Sequence, residues 1–370
     1  MRLVLALIVS ALLLSCAPQA RLQPPAADRL YSVEALAARV HVLTQGDVFH
    51  VQGRGNVEVI EQGSGVVLVD SGGSPAGAEE VIALVRRLTS KPVTAIVLTH
   101  WHGDHVLGVS RLLQEWPRAR VIATAPTRDM LASAAADRFM PGDNAEANRA
   151  YHANNEGAAG YLRQQSEDAA LPAAVRQGYS QAAQEYARFA REMLPARRVA
   201  PTEIFEERLV LPDGETPVEV RFLGRANTEG DAIVWLPRQR IVMTGDVVVS
   251  PIPYGFNSYP TEWLAVLAHI KALQFSVLVP GHGTPMRDSG YVNRLIAVLA
   301  DISAQTRELA GDASITQENL AAHVDLGGYE SVWAGQDPWL RLWFNRYWTG
   351  PIAWSALREA RGEAIVQGGD

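Results

Sequence analysis

Two short apolar runs, Val57–Ile60 and Val66–Val69, flank the turn residues Gly63-Ser64-Gly65 and predict a β-hairpin. From Ser74 to Arg87 the period changes. Ala76, Val81, Ile82, Leu84 and Val85 recur at helical spacing on one broad face. Val93–Leu98 then reads as a strand, Ser110–Trp116 as a helix and Arg120–Ala123 as a further strand. Alternation of this kind predicts an α/β fold. Strands return at Val218–Leu223, Ala232–Leu236, Arg240–Met243 and Ser276–Val279.

Between these two groups lies a stretch without β-branched runs. Tyr179, Ala182, Tyr186, Phe189 and Met193 fall three to four apart there, so residues 127–194 read as a helical insertion. After Gly290 the chain is helical again, and five of its nine tryptophans (Trp333, Trp339, Trp343, Trp348 and Trp354) lie in this tail. They could line a substrate pocket or form the core of a terminal lobe. The expected organisation is a leader over 1–15, a tether over 16–30, an α/β domain over 31–290 and a helical extension over 291–370.

Leu3–Leu14 is apolar except for Ser10 and follows Arg2. It is too short to span a bilayer as a helix, which needs about 20 residues. With Leu13-Leu14-Ser15-Cys16 it resembles a bacterial lipoprotein signal. That resemblance implies cleavage before Cys16, a lipid anchor on it, and a place in the cell envelope, on the periplasmic side of the outer membrane in a Gram-negative source. An ordinary secretory peptide is the alternative. Cys16 is the single cysteine, which excludes a disulfide framework and any zinc site built from several thiolates. The formal net charge of −7 argues against a nucleic-acid partner, which needs a basic face. The sequence leaves the oligomeric state open.

One stretch carries most of the chemistry: Thr99-His100-Trp101-His102-Gly103-Asp104-His105, just past a strand. Three of the nine histidines and a carboxylate sit within six positions, and these are ligand types suited to zinc. In a turn, His100 and His102 can converge on one ion while Asp104 and His105 face a second. Three more polar turns follow apolar strands: Gly224-Arg225-Ala226-Asn227-Thr228, Gly245-Asp246 and Gly281-His282-Gly283. Ligands gather beyond the carboxyl ends of strands in α/β sheets.

The pattern resembles the metallo-β-lactamase-fold hydrolases, over roughly Val40 to Pro285 apart from the insertion. The resemblance implies a four-layer αββα sandwich with the site along one edge. It implies that His100 and His102 bind a first zinc, that Asp104, His105 and His282 bind a second, and that Asp246 bridges them. Asp70 would support the loop without touching metal. The metal would be one or two zinc ions, with iron and manganese also accommodated by such ligands.

One position departs from the family. Where a third histidine usually completes the first site, this chain has Asn227, whose amide oxygen is a weaker zinc ligand than imidazole. Asn227 could ligate directly or through water, or only the second site could fill. A metal-activated hydroxide, oriented by Asp104, would attack an ester, lactone or amide-type small molecule. Tyr254 could donate to the oxyanion. Two alternatives stand beside this reading. One is a β-lactamase proper, although those relatives usually carry Cys or Ser at the position of Asp246. The other is a catalytically impaired metal-binding lipoprotein.

Overall fold

The computed structural model describes residues 29–142 and 144–368. The leader and Cys16 lie outside the described residues. Twelve strands form two sheets. The first runs, in spatial order, β1 (Ser32–Ala37), β2 (Val40–Thr44), β3 (Val57–Glu61), β4 (Val66–Val69), β5 (Val93–Val97), β6 (Arg120–Thr124) and β7 (Glu203–Phe205). Its first four strands are antiparallel, and its last four form a parallel set joined by helical crossovers. The second sheet holds β8 (Arg208–Leu211), β9 (Val218–Phe222), β10 (Ala232–Leu236), β11 (Ile241–Met243) and β12 (Val277–Val279), with only the β11–β12 pair parallel.

Strand period decides the layering. In β4, Val67 and Val69 point between the sheets while Val66 and Leu68 point outward. In β10, Ala232, Val234 and Leu236 face the inter-sheet core, and Ile233 and Trp235 face the opposite side. Each such buried Val or Leu contributes roughly 1.5–3 kcal/mol. Helices cover both outer faces. α1 (Pro75–Leu88), α2 (Gly103–Val106), α3 (Val109–Glu115) and α4 (Ala125–Ala132) follow strands of the first sheet. α1 starts where the Ser74 hydroxyl accepts from Gly77 N–H at 3.0 Å, with Pro75 at the first helical position. The fold is the expected αββα sandwich.

Between β6 and β7 the chain forms α5 (Ala145–Glu167) and α6 (Ala173–Glu192), the helices expected there. After β11 come α7 (Pro260–Ala272), α8 (Gly290–Leu309), α9 (Gly327–Ala334), α10 (Pro338–Phe344) and α11 (Gly350–Ala360). Trp333, Trp343 and Trp348 are buried in one apolar cluster with Trp263 of α7, Leu295 and Leu299 of α8 and Trp235 of β10. The tail thus packs onto the core of the second sheet, and these three tryptophans are core residues. No helix among the described residues is long and apolar enough to cross a membrane.

Candidate metal centre

The loops that follow β4, β5, β11 and β12 meet at one edge of the sandwich. β5 ends at Val97, and the next turn carries His100 and His102 before Gly103 opens α2, whose first turn holds Asp104 and His105. His100 and His105 are fully buried.

Asp70 anchors this loop. It adopts a left-handed backbone (φ 60°), which an aspartate tolerates better than most residues. Its carboxylate accepts from Thr99 N–H and Thr99 Oγ1–H, each at 2.8 Å, and from His105 Nδ1–H at 2.7 Å. With its proton given to Asp70, Thr99 Oγ1 accepts from His100 Nδ1–H at 3.0 Å. Both imidazoles are therefore held with Nε2 turned toward Asp246, the partner on the other ring nitrogen setting the ring orientation.

Two ligand clusters result. In the first, His100 Nε2 and His102 Nδ1 lie 2.9 Å apart, with Asp246 Oδ2 3.6 and 4.0 Å from them. In the second, His105 Nε2 and His282 Nε2 are 3.3 Å apart, with Asp104 Oδ2 3.0 Å from His282 and 3.6 Å from His105. Asp246 Oδ1 reaches the second cluster, at 3.2 Å from His105 and 3.5 Å from His282. Nitrogens about 2.0 Å from one tetrahedral zinc stand roughly 3.3 Å apart. Asp246 Oδ1 is also buried without a hydrogen-bond partner. Donor types, spacing and that orphaned oxygen all fit a pair of cations.

The charges agree. Burial, which alone would lower His105, is outweighed by Asp246, Asp104 and Asp70, so its pKa stands well above the usual histidine value. His282 is raised against the same burial by Asp246 and Asp104. Burial and the charge of His105 hold His100 well below the ordinary range. Asp104 and Asp246 are lowered despite burial, chiefly by His105. His105 and His282 must therefore shed protons to take a cation, whereas His100 is already neutral. Metal affinity of the second cluster should rise as pH climbs above 6.5. Chelator competition at pH 6, 7 and 8 measures this, and an affinity there that stays flat with pH would contradict it.

Asn227 is fully buried, and both polar atoms of its amide lack a hydrogen-bond partner. Its turn is held by Asp231, which accepts from Ala226 N–H, Thr228 N–H and Thr228 Oγ1–H, and whose carboxyl burial pushes up to about 7. The turn abuts the histidine loop, since Ala232 N–H donates to Thr99 O at 2.7 Å. Replacing Asn227 with histidine should raise first-site affinity. Isothermal titration decides it, and unchanged occupancy would show that the first site was already filled.

The sequence reading missed several supports. Gly55 backs His105 so closely that a Cβ there would lie 2.9 Å from Nε2. Asn56 Nδ2 donates to the carbonyls of Pro280 and Gly283, fixing the His282 loop. Glu58 is a buried acid whose pKa rises through burial and the charge of Asp70. A glutamate within the apolar run Val57–Ile60 was the one available signal for it.

The clusters lie at the floor of a cleft of about 310 Å³. Its walls come from the β2–β3 loop (Phe49, Val51), from α5 and α6 (Tyr151, Phe189), and from Tyr254. Tyr254 stands 5.7 Å, ring to ring, from His102, and burial raises its phenol, so the hydroxyl keeps its proton. The tail reaches the cleft through Tyr347 and through no tryptophan.

Residues 51–282 match the metallo-beta-lactamase superfamily. A linear primary-alkylsulfatase of Pseudomonas sp. (strain ATCC 19151) is 24% identical over 302 residues, 78% of this chain and 52% of its own length. A metallo-beta-lactamase type 2 of Bacillus sp. (strain 170) is 22% identical over 259 residues, 68% of this chain and 76% of its own. A solved sec-alkyl sulfatase overlays 89% of this chain and 50% of itself, with TM-score 0.56 and 16% identity. A metallo-beta-lactamase from Pontibacter korlensis overlays 73% and 99%, with TM-score 0.51 and 17% identity. The chain thus spans about half the length of the alkylsulfatases it matches. It belongs to the metallo-β-lactamase superfamily of metal-dependent hydrolases.

Proposed function

We propose that this chain hydrolyses an ester, lactone or amide-type small molecule, with zinc in both clusters. The observation that carries this reading is Asp246, whose two oxygens face the two clusters at the floor of a cleft. Bound zinc would supply Lewis acidity and a water acidified to near-neutral pH. The residues do the rest. Asp70 and Thr99 hold His105 and His100 in the tautomers that present Nε2. Asp104, ionised at neutral pH, is placed beside His282 to orient a nucleophile and carry a proton to the leaving group. Tyr254 can donate to the developing oxyanion. The aromatic walls exclude water and suit an apolar substituent.

The alkylsulfatase relatives support an ester over a β-lactam, as does an aspartate at position 246. The relatives named metallo-beta-lactamase keep the β-lactam reading as the second one. We also place the protein at the cell envelope, anchored through Cys16. A panel of carboxylic and sulfate esters, lactones, thioesters, phosphodiesters and β-lactams tests the activity. His102→Ala should abolish whichever turnover is found. A folded, zinc-loaded wild type inactive on every panel member would sink the reading.

A further inference from the structure

Three exposed apolar side chains stand at the cleft mouth. Val48 is 65% exposed, Phe139 39% and Phe256 38%. They come from three separate segments. Val48 and Phe139 line the cleft, and Phe256 packs 5.0 Å from Tyr254 and 5.9 Å from Tyr347, which also line it. Single exposed apolar residues need no explanation, but here three stand around one opening. Arg138 adds an exposed cation at the same mouth. Its guanidinium lies 5.6 Å over the Phe139 ring, and it makes no ion pair among the described residues. Apolar side chains beside an unpaired arginine suit an anionic lipid surface, where rings enter the interface and the cation meets headgroups.

The chain enters the fold at this edge. Ser32 pairs with Thr44, the residue before cleft-lining Gln45, and Thr44 Oγ1 donates to Gly283 O, beside His282. Tyr31 Oη donates to Gly72 O at 3.0 Å, at the loop that follows Asp70. The residues before Arg29 carry the apolar run Leu3–Leu14 and Cys16. A segment from Cys16 to Arg29 reaches at most about 45 Å when extended. A surface that holds a lipid on Cys16 would lie within that distance of Arg29.

We propose that Val48, Phe139 and Phe256, with Arg138, seat the cleft mouth on an anionic phospholipid surface, from which the substrate is taken. The seating stands on the rim itself, while the taking of substrate rests on the hydrolase reading above. Cys16→Ser with Val48→Cys leaves a single thiol for an environment-sensitive fluorophore, and Val210→Cys, on edge strand β8, is the control. Full-length protein is mixed with phosphatidylglycerol–phosphatidylcholine vesicles, and flotation is scored with emission and iodide quenching.

The expected result is a blue shift and a several-fold fall in quenching at position 48, with neither at 210. Phe139→Ser with Phe256→Ser should reduce the response at 48. Protein that floats with the vesicles while position 48 stays in water would overturn the proposal, because the leader then binds without the rim. So would equal responses at both positions, or no flotation. Turnover of a short water-soluble ester, measured separately, reports on the hydrolase reading alone.

Discussion

Asp246→Ala should lower turnover by about 10³-fold or more, because it removes a carboxylate that faces both ligand clusters. In the wild-type chain its two oxygens stand 3.2–4.0 Å from four imidazole nitrogens. Without it the first cluster keeps two histidines, with no anion to offset a divalent charge. The second keeps Asp104, His105 and His282. Metal analysis should therefore show loss of the first ion before the second, with at most about one equivalent retained. His105 and His282 also lose the charge that most raises them, so their pKa values should fall, which proton NMR of the metal-free variant reads directly. Undiminished activity, or two ions still bound, would remove Asp246 from its bridging position.

The second large effect involves a residue with no side chain. Gly281→Ala should unfold or misplace the site, because the added Cβ would lie 2.7 Å from the Gly245 carbonyl carbon and 2.9 Å from Asp246 N. Those are backbone atoms and cannot swing aside. Overpacking of this kind typically costs 1–3 kcal/mol. Here the strain would fall on the segment that aims Asp246, and Gly281 N–H also donates to the carbonyls of Gly245 and Val248. We expect a lower melting temperature together with weakened binding at both sites. Thermal unfolding with and without zinc separates the two losses. A variant with wild-type stability and full metal content would show that the two loops are not packed as described.

These two positions also show what sequence can and cannot reveal. Asp246 was readable because its turn follows a short apolar strand and matches a known pattern. His100, His102, Asp104 and His105 were readable because local chain geometry alone brings them together. Gly281 and His282 sit in a visible turn, yet the close approach of Gly281 to Asp246 joins residues 35 positions apart. Asn56 and Pro280 are farther apart still, and their contact leaves no local trace. Strand β1 was missed because Ser-Val-Glu-Ala-Leu-Ala is rich in helix formers; pairing with β2 overrides that preference. The cleft walls were partly legible. Tyr254 was expected at the site, whereas Phe49, Val51 and Tyr347 are placed by tertiary packing that no period encodes.

Asn227 stands where the family resemblance leads one to expect a histidine. Its buried amide without a hydrogen-bond partner is costly in an empty interior and reasonable beside a cation. The measurement that tests the whole account most directly is metal content of the purified, folded protein after equilibration with zinc and removal of loosely held ions. Two clusters sharing Asp246 predict two zinc ions per chain, the second cluster's ion held more tightly at pH 8. A well-folded chain that retains no zinc would contradict the account.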